Sequence, residues 1–391
     1  MNRDDVHLLF TAEAVELLAS LPPIESKANV VQNVSALRKR GVSAEMTSIV
    51  LLQQRLRTKA FAKFGEFAER MFFTEDGLQQ ATRLPVAARH ASRFREMGAE
   101  HVGDLGCGIG GDALALAGLG IRVTAVDRDE VTAALATYNL APFDNAAVEL
   151  GDAESTSLAR FDALWFDPAR RTSSKRLSNP ADWSPSLEWV FDVSSRIPAG
   201  IKLSPAIDHD LLPNDAECQW VDDHGDTVEC IVWTGALARP GVARSALVLG
   251  DGNADELVSS EPDTVVEVGA VGDYLYDPCG AVLRAQLLGN LARELNAHIV
   301  ADEIAYLSND SGVSTPFAQR FRVRETLPLD QRTIAARLRE LEIGTLEIKK
   351  RGVDIDPAEF RTKLKLSGKN SATLFLTRSP KGRVAILADR L

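Results

Sequence analysis

Cysteine is scarce in this sequence, and its few occurrences lie far apart. The four thiols belong to Cys107, Cys218, Cys230 and Cys279, and no two of them form a C-x-x-C pair. This spacing excludes a disulfide framework and a cysteine-based zinc site, and reduced thiols in the cytosol are the simplest interpretation. The six histidines are scattered as well. Only residues 208–210 resemble a set of metal ligands, and a solvated loop explains them better, so we predict no metal.

Long apolar runs are missing too. No stretch approaches the roughly 20 apolar residues that a membrane-spanning helix needs. The opening MNRDDVHLLF sets acids beside its one arginine, unlike the basic start of a signal peptide. With 45% hydrophobic and 25% charged residues, the chain is typical of a globular protein. We expect a cytoplasmic protein with no membrane partner and, at 391 residues, two or three domains; the oligomeric state stays open.

Charge is unevenly distributed along the chain. The formal net charge is −11, which by itself argues against a nucleic-acid partner. Yet residues 1–98 hold 14 lysines and arginines against 11 acids, residues 330–391 hold 14 against 8, and the stretch between them holds 16 against 36. An acidic centre with basic ends suits a catalytic domain flanked by parts that contact a polyanion. Ordinary solvated helix faces explain the same pattern equally well.

Two kinds of periodicity divide the chain. Residues 8–21, 25–40 and 43–70 show apolar residues at intervals of three and four, which predicts helices there and an N-terminal helical region over residues 1–98. Residues 99–250 alternate short apolar runs with helical stretches, which predicts an α/β fold: a Rossmann-like doubly wound sheet of parallel strands with helical crossovers. The expected strands are 101–105, 121–126, 147–150, 163–166, 201–203, 219–222, 228–233 and 246–249.

The last third of the chain has a different pattern. Residues 251–279 are rich in Asp, Gly, Glu and Ser and are expected to form a linker or an insertion. Residues 280–391 are expected to form a smaller C-terminal α+β domain. Its predicted helices are 281–296 and 331–341, and its predicted strands are 319–324, 345–350, 372–377 and 384–388.

A glycine-rich turn follows the first predicted strand. Gly106, Gly108 and Gly111 satisfy the dinucleotide pattern G-x-G-x-x-G, with Gly110 as an additional glycine inside it, and Asp127 stands 21 residues after Gly106, near the spacing of a ribose-binding acid. Glycines at such a turn let the backbone approach a ligand closely. Asp104, just before the turn, is poorly suited to a pyrophosphate, because it sets negative charge beside negative charge. It suits a cationic ligand.

Three more acids stand at successive strand ends. Asp127 can accept hydrogen bonds from two ribose hydroxyls, Asp152 with Ala153 can meet an adenine amino group, and Asp167 follows the fourth strand. Each acid alone is explained about as well as a helix N-cap or a loop residue. Together the four acids resemble the pattern of class I S-adenosylmethionine-dependent methyltransferases over about residues 99–235. The resemblance implies S-adenosyl-L-methionine as cofactor, bound by Asp104, Gly106, Gly108, Gly110, Asp127, Asp152 and Ala153.

The segment Asp167-Pro168-Ala169-Arg170 resembles the (D/N)-P-P-x motif that base-modifying methyltransferases place under the acceptor. The resemblance implies Asp167 and Pro168 as catalytic residues that orient an amine for methyl transfer, where alignment and desolvation carry most of the rate. Arg170, at the mouth of the expected pocket, is a further catalytic candidate. The family usually has a second proline and an aromatic residue where this chain has Ala169 and Arg170, which puts base stacking at this point in doubt.

Several residues around this motif are predicted to bind substrate. Arg171 belongs to a basic loop with Arg170, Lys175 and Arg176 that suits phosphate, although pairing with local acids explains it as well. Lys202 ends the fifth strand on the same edge.

Phe73 and Thr74 stand where RNA-modifying relatives, notably trimethylguanosine synthases, have an aromatic-Ser/Thr segment that closes over the cofactor. Phe72 and Phe73 can supply the stacking that Ala169 lacks, or they can anchor a core.

Residues 344–369 predict a strand, a basic turn and a basic helix. With the α+β pattern they resemble the THUMP-like domain attached to a group of bacterial, especially actinobacterial, methyltransferases. Since THUMP domains bind structured RNA, the resemblance implies RNA as a partner, with Lys349, Lys350 and Arg351 among its contacts.

Three classes of function remain at this point. The first is a methyltransferase that acts on an amino nitrogen of an RNA base. The second is a small-molecule methyltransferase or a nicotinamide oxidoreductase, and the third is a catalytically silent RNA-binding protein with a methyltransferase fold. Asp104 and Asp167-Pro168 disfavour the oxidoreductase, the basic ends disfavour a small substrate, and the intact set of acids disfavours a silent protein.

Overall fold

The computed structural model describes residues 1–24, 26–169, 171–172, 175–176, 183–250 and 252–391. The chain divides into two compact units. The first comprises Met1–Leu203 and Val232–Ala238, and the second comprises Ser204–Ile231 and Arg239–Leu391. Within these ranges, none of the helices combines the length and the apolar character that crossing a membrane requires.

Helices open the first unit. They are α1 (Arg3–Leu9), α2 (Ala12–Ser20), α3 (Lys27–Lys39), α4 (Ala44–Phe64), α5 (Glu75–Gln80) and α6 (Leu84–Met97). The helix predicted over 8–21 is wrong at its start, because the Thr11 hydroxyl caps a new helix by accepting from the backbone of Ala14. Apolar faces of the first helices pack together with Phe72 and with Leu135 of the following α/β region.

A parallel sheet forms the rest of the first unit. Its strands are β1 (His101–Leu105), β2 (Arg122–Asp127), β3 (Ala146–Leu150), β4 (Ala163–Phe166) and β7 (Ala199–Leu203), with the two-residue strands β5 (Arg171–Thr172) and β6 (Lys175–Arg176) as a separate hairpin. The connecting helices include α7 (Gly111–Gly118), α8 (Glu130–Leu140) and α9 (Leu187–Ser194). The order β7-β4-β1-β2-β3, with every pair parallel, is that of a doubly wound sheet and confirms the predicted fold class.

The second unit contains two groups of strands. The first group is β8 (Glu217–Asp223), β9 (Asp226–Trp233), whose last two residues belong to the first unit, β10 (Arg244–Leu249) and β11 (Ala254–Ser259). The second group forms a seven-stranded sheet in the order β13-β14-β12-β15-β18-β17-β16. Its strands are β12 (Tyr274–Pro278), β13 (His298–Ala301), β14 (Ile304–Asn309), β15 (Ala318–Pro328), β16 (Ile343–Lys350), β17 (Asn370–Ser379) and β18 (Gly382–Arg390).

Helices complete the second unit. They are α10 (Gly280–Arg284), α11 (Leu288–Leu295), α12 (Gln331–Glu340) and α13 (Pro357–Leu364). The apolar residues of α12 and α13 pack on the seven-stranded sheet against Leu374, Leu376 and Leu387, which gives the predicted α+β architecture. The helix predicted over 281–296 is two helices, because Gln286 takes a left-handed backbone conformation at φ +59 between them. The segment expected as linker contains β11, which pairs antiparallel with β10.

A tryptophan pair fixes the space around Gly200 in β7. A β-carbon added at this glycine would lie 2.7 Å from Trp165 Cε3 and 2.7 Å from Trp233 Cζ3. Both rings are buried, and His90 stacks on Trp165 with ring centroids 4.5 Å apart. Glycine at this position is therefore required by packing.

We expect Gly200→Ala to lower the free energy of unfolding by about 1 to 3 kcal/mol, since an added methyl group overpacks a filled core. Gly118→Ala is the matched control. Gly118 ends α7 on an exposed turn, and its added β-carbon would meet only Phe143 at 3.9 Å. Chemical denaturation of both variants measures the difference, and equal stabilities would contradict the packing requirement.

Candidate active site

A cavity of about 660 Å³ opens in the first unit where β1, β2 and β4 end. Residues 106–109 of the glycine turn line one side, and residues 74–77, at the start of α5, line another. Asp127, Asp167 and Ala153 also border it. The cavity therefore lies outside the carboxyl ends of the parallel strands, where ligands bind in open α/β sheets.

The glycine turn is shaped by backbone conformations that side chains rarely adopt. Gly106, Gly108 and Gly110 have φ values of +94, +54 and +84. A β-carbon at Gly106 would lie 3.1 Å from the carbonyl oxygen of Asp167, and one at Gly110 would lie 3.3 Å from Leu140. The turn thus runs close to its neighbours and leads into the first turn of α7.

Asp104, the fourth residue of β1, carries the most unusual carboxylate of the site. Its side chain is 1% exposed, and neither of its oxygens has a hydrogen-bond partner among the residues that the structure describes. Burial raises the pKa of this carboxyl well above its ordinary range, and the nearby carboxylates of Asp112, Asp167 and Asp127 raise it further, while Lys202 lowers it. A buried acid without partners is costly, so a cationic ligand group would relieve it.

Asp127 ends β2 beside the turn. Its Oδ2 accepts from the backbone N–H of Gly108 at 3.0 Å, and its Oδ1 accepts from that of Asp129 at 2.9 Å. Burial raises the pKa of this carboxyl, although the two backbone bonds oppose the shift. Asp127 therefore holds the glycine turn and faces the cavity. Asp152 uses Oδ1 to accept from the backbone of Glu154 at 2.8 Å, and the adjacent Ala153 lines the cavity.

Asp167, the first residue of the Asp167-Pro168-Ala169-Arg170 motif, forms an ion pair with Lys202. Lys202 Nζ lies 2.5 Å from Asp167 Oδ2, and it also donates to Thr82 Oγ1 at 3.0 Å and to the carbonyl of Gln80 at 3.5 Å. Lys202, which was predicted to bind substrate, thus binds the Asp167 carboxylate and the end of α5 with the residues that follow it. The next residues of the motif are a buried Pro168 and Ala169, whose backbone pairs with that of Ser184.

A second set of polar contacts, around Asp112, was not predicted from the sequence. Asp112, in the first turn of α7, accepts from Thr82 Oγ1 at 2.8 Å, and its other oxygen lies 2.9 Å from His90 Nδ1. Burial acts to raise the pKa of Asp112, but the contacts with His90, Lys202 and Thr82 outweigh it, so the pKa is lowered. In sequence Asp112 is indistinguishable from any acid at a helix start, and His90 and Thr82 become partners only through folding.

Phe73 is not available to a substrate in this structure. Both Phe72 and Phe73 are 0% exposed, and the ring of Phe73 packs against Phe64 with centroids 5.7 Å apart. Both rings therefore pack in the core, which is the second of the two roles considered for them from the sequence. Thr74 does line the cavity, and its hydroxyl caps α5 by accepting from the backbone of Gly77 at 2.9 Å.

The predicted basic contacts are only partly accessible. Arg170 and the side chain of Arg171 lie outside the described residues. In the second unit, Lys349 Nζ lies 2.7 Å from Asp277 Oδ2, and Arg351 Nη2 lies 2.8 Å from Asp277 Oδ1, so these two cations neutralise a largely buried acid. Lys350 is exposed. Across the described chain, no three His, Cys, Asp or Glu side chains are grouped as metal ligands would be.

Comparisons with known proteins agree with this geometry. Residues 318–390 match the family model described as THUMP domain-like, and residues 2–60 match one described as a domain of unknown function (DUF8688). Proteins from two strains of Mycobacterium tuberculosis, both named as an uncharacterized S-adenosylmethionine-dependent methyltransferase, are 34% identical over 339 residues, which is 84% of this chain and 92% of theirs.

A solved structure shows the same fold over nearly the whole chain. A candidate methyltransferase from Porphyromonas gingivalis matches 97% of this chain and 98% of its own, with a TM-score of 0.76 at 19% identity. The resemblance predicted from the strand-end acids and the basic C-terminal segment is confirmed. With the mycobacterial relatives covering most of its length, the chain belongs to the family of S-adenosylmethionine-dependent methyltransferases.

Proposed function

We propose that this enzyme transfers a methyl group from S-adenosyl-L-methionine to an amino nitrogen of an RNA base. The observation that carries the proposal is the Asp104 carboxylate, which is buried in β1 just before the glycine turn that lines the cavity and has no hydrogen-bond partner within the described chain. The cofactor follows from membership of the family. The identity of the acceptor, an amino nitrogen of an RNA base, is what the proposal adds to family membership.

The residues of the cavity fit the cofactor. Asp104 offers a carboxylate to the α-ammonium group, and the turn of Gly106, Gly108 and Gly110 offers backbone without side chains in the way. Asp127, which borders the cavity, is proposed to accept from ribose hydroxyls, and Asp152, next to the cavity-lining Ala153, is proposed to meet the adenine. When bound, the cofactor supplies an electrophilic methyl group on a sulfonium.

The acceptor side of the site belongs to Asp167 and Pro168. Lys202 holds Asp167 at Oδ2, and the Asp167 carboxylate is proposed to accept from the N–H of an amino group. A carboxylate fixed in this way orients the lone pair of the amine and needs no large rearrangement. Arg170 and Arg171 stay proposed contacts of the acceptor.

An RNA partner is supported by the THUMP-like match and by charge, with one revision. Lys349 and Arg351 are tied to Asp277, so we move the proposed contact surface to cations that are exposed and have no ion-pair partner in the described chain. Arg332 and Arg339 on α12 and Arg361 on α13 meet this condition, as do Lys350 and Lys365. The two helices pack on the same face of the seven-stranded sheet.

A cytoplasmic location also stays a prediction.

The first prediction tests the role of Asp104 with S-adenosylhomocysteine, which keeps the ammonium group. Asp104→Asn should weaken binding about 10- to 100-fold, because a charge-assisted hydrogen bond contributes about 1.5 to 3 kcal/mol. The same change should raise the melting temperature of the cofactor-free protein at neutral pH, since it removes a carboxyl whose raised pKa lowers the stability of the folded state above the pKa of the unfolded chain. Asp112→Asn is the control and should lower the melting temperature, because Thr82 and His90 lose their partner.

The pH dependence of binding follows from the raised pKa of Asp104. Below that pKa the carboxyl is neutral and cannot pair with an ammonium, so affinity for S-adenosylhomocysteine should rise as pH increases through it. Calorimetry over a pH series should show this rise in the native protein and a flatter profile in Asp104→Asn. Tight binding of NAD without a response to S-adenosylhomocysteine would overturn the cofactor site.

A second prediction concerns the acceptor. Asp167→Asn should reduce methyl transfer at least about tenfold, about 1.4 kcal/mol in barrier, because the acceptor loses a charged partner. Affinity for S-adenosylhomocysteine should change little, since Asp167 is assigned to the acceptor. The assay uses RNA from cells that lack the gene, followed by mass spectrometry of nucleosides. A methylated nucleoside missing from those cells identifies the target, and unchanged turnover in the variant places the reaction elsewhere.

A third prediction concerns the RNA surface. Converting Arg332, Arg361 and Lys365 to Glu should weaken RNA binding and reduce the slope of log affinity against log salt by about one per residue, because fewer counterions are released. Lys349→Gln is the control: it breaks the pair with Asp277, so it should lower thermal stability and leave the salt slope unchanged. Filter binding across salt measures both. A flat salt response in the native protein would favour a small-molecule acceptor.

A further inference from the structure

Two buried amides join the N-terminal helices to the glycine turn. Gln53 on α4 donates from Nε2 to the carbonyl of Phe73 at 2.7 Å and accepts at Oε1 from the backbone N–H of Phe73 at 3.0 Å. Asn139 on α8 does the same for Phe72, accepting from its N–H at 2.7 Å and donating to its carbonyl at 3.0 Å. Each amide thus pairs with both backbone groups of one residue, as a neighbouring strand would.

Asn139 makes one more bond, and that bond reaches the cofactor turn. Its Nδ2 also donates to the carbonyl of Ile109 at 2.9 Å. A single amide therefore holds Phe72 and Ile109 at a fixed separation. Both amides are almost fully buried, with Gln53 at 0% and Asn139 at 3% exposure, so neither bond competes with water.

The clamped segment leads directly into a wall of the cavity. Residues 74–77 follow Phe73 and line the cavity together with the glycine turn. Gly77 packs tightly on the turn, since a β-carbon there would lie 2.7 Å from Ile109 Cγ2. At the far end of α5, Lys63 donates from Nζ to the carbonyls of Leu78 and Ala81 at 2.9 and 2.7 Å.

We infer that Gln53 and Asn139 are positioning residues for the cofactor: by clamping Phe72 and Phe73 against Ile109, they set the width of the cavity between residues 74–77 and the glycine turn. Through Gln53, the N-terminal helical segment then helps to shape the proposed cofactor site. This inference rests on the proposed cofactor site, and it gives a role to two fully buried phenylalanines that directly precede a wall of the cavity. Their rings anchor the segment, and the amides fix its backbone.

The test replaces each amide by its isosteric acid. In Asn139→Asp and Gln53→Glu, an oxygen takes the place of the NH₂ that faces a carbonyl, so attraction becomes repulsion while size is kept. We expect affinity for S-adenosylhomocysteine, measured by calorimetry on the full chain, to fall about tenfold or more in each variant. The rate at saturating cofactor should fall less than this affinity does.

Gln54→Glu is the matched control. Gln54 is the next residue on α4, is 8% exposed, and donates from Nε2 to the carbonyl of Leu21 at 3.1 Å. Its replacement loses the same kind of buried bond away from the cavity. We expect it to lower the melting temperature and to leave affinity for S-adenosylhomocysteine within about twofold. Equal affinities in all three variants would overturn the inference and reduce the clamp to a stabilising contact.

A measurement on the native protein covers the case in which a variant does not fold. Hydrogen exchange of peptides spanning residues 71–78 should slow when S-adenosylhomocysteine binds, because the ligand holds both sides of the clamped wall. Peptides of the second unit serve as the reference. Binding without a change at 71–78 would contradict the inference alone, whereas no binding to the native protein would contradict the proposed cofactor site itself.

Discussion

The arrangement of the first unit depends on burying one carboxylate in the middle of a sheet. Asp104 lies in the central strand β1 between β2 and β4, where its neighbours in register are Ala125 and Trp165. Placing an acid there costs stability unless a cation meets it. Keeping such a group lowers the free energy of unfolding, which is consistent with the proposed role of Asp104 in pairing with the ammonium group of the cofactor.

Among the described acids around the glycine turn, Asp104 is the one whose side-chain oxygens have no hydrogen-bond partner. Asp112 is satisfied by His90 and Thr82, Asp127 by backbone N–H groups, and Asp167 by Lys202. Thr82 links two of these pairs, since it donates to Asp112 and accepts from Lys202. The network therefore runs continuously from His90 through Asp112, Thr82 and Lys202 to Asp167, and it holds the carboxylate that is proposed to meet the acceptor.

The second unit uses charge for a different purpose. Asp277 is 14% exposed at its side chain and is neutralised by both Lys349 and Arg351, while the guanidinium of Arg351 also lies over the buried ring of Tyr306, 4.6 Å from its centroid. These cations tie β16 to β12, which are far apart in strand order. Two of the three cations at residues 349–351 therefore stabilise the fold. The exposed cations of α12 and α13 are better candidates for contacts with a polyanion.

The sequence by itself determined the α/β class, most strand positions and the acids at the strand ends. These features are local: alternating apolar runs define parallel strands, and a glycine turn after a strand is shaped by its own backbone. Only the tertiary structure decided which of those groups are satisfied. Gln53 and Asn139 look like any polar residues on helices, and Lys349 meets Asp277 across 72 residues of chain. Phe73 is equally ambiguous in sequence, because burial of a ring depends on Phe64 and the helices that enclose it. Partnership between distant side chains is set by packing, and no local pattern of residues encodes it.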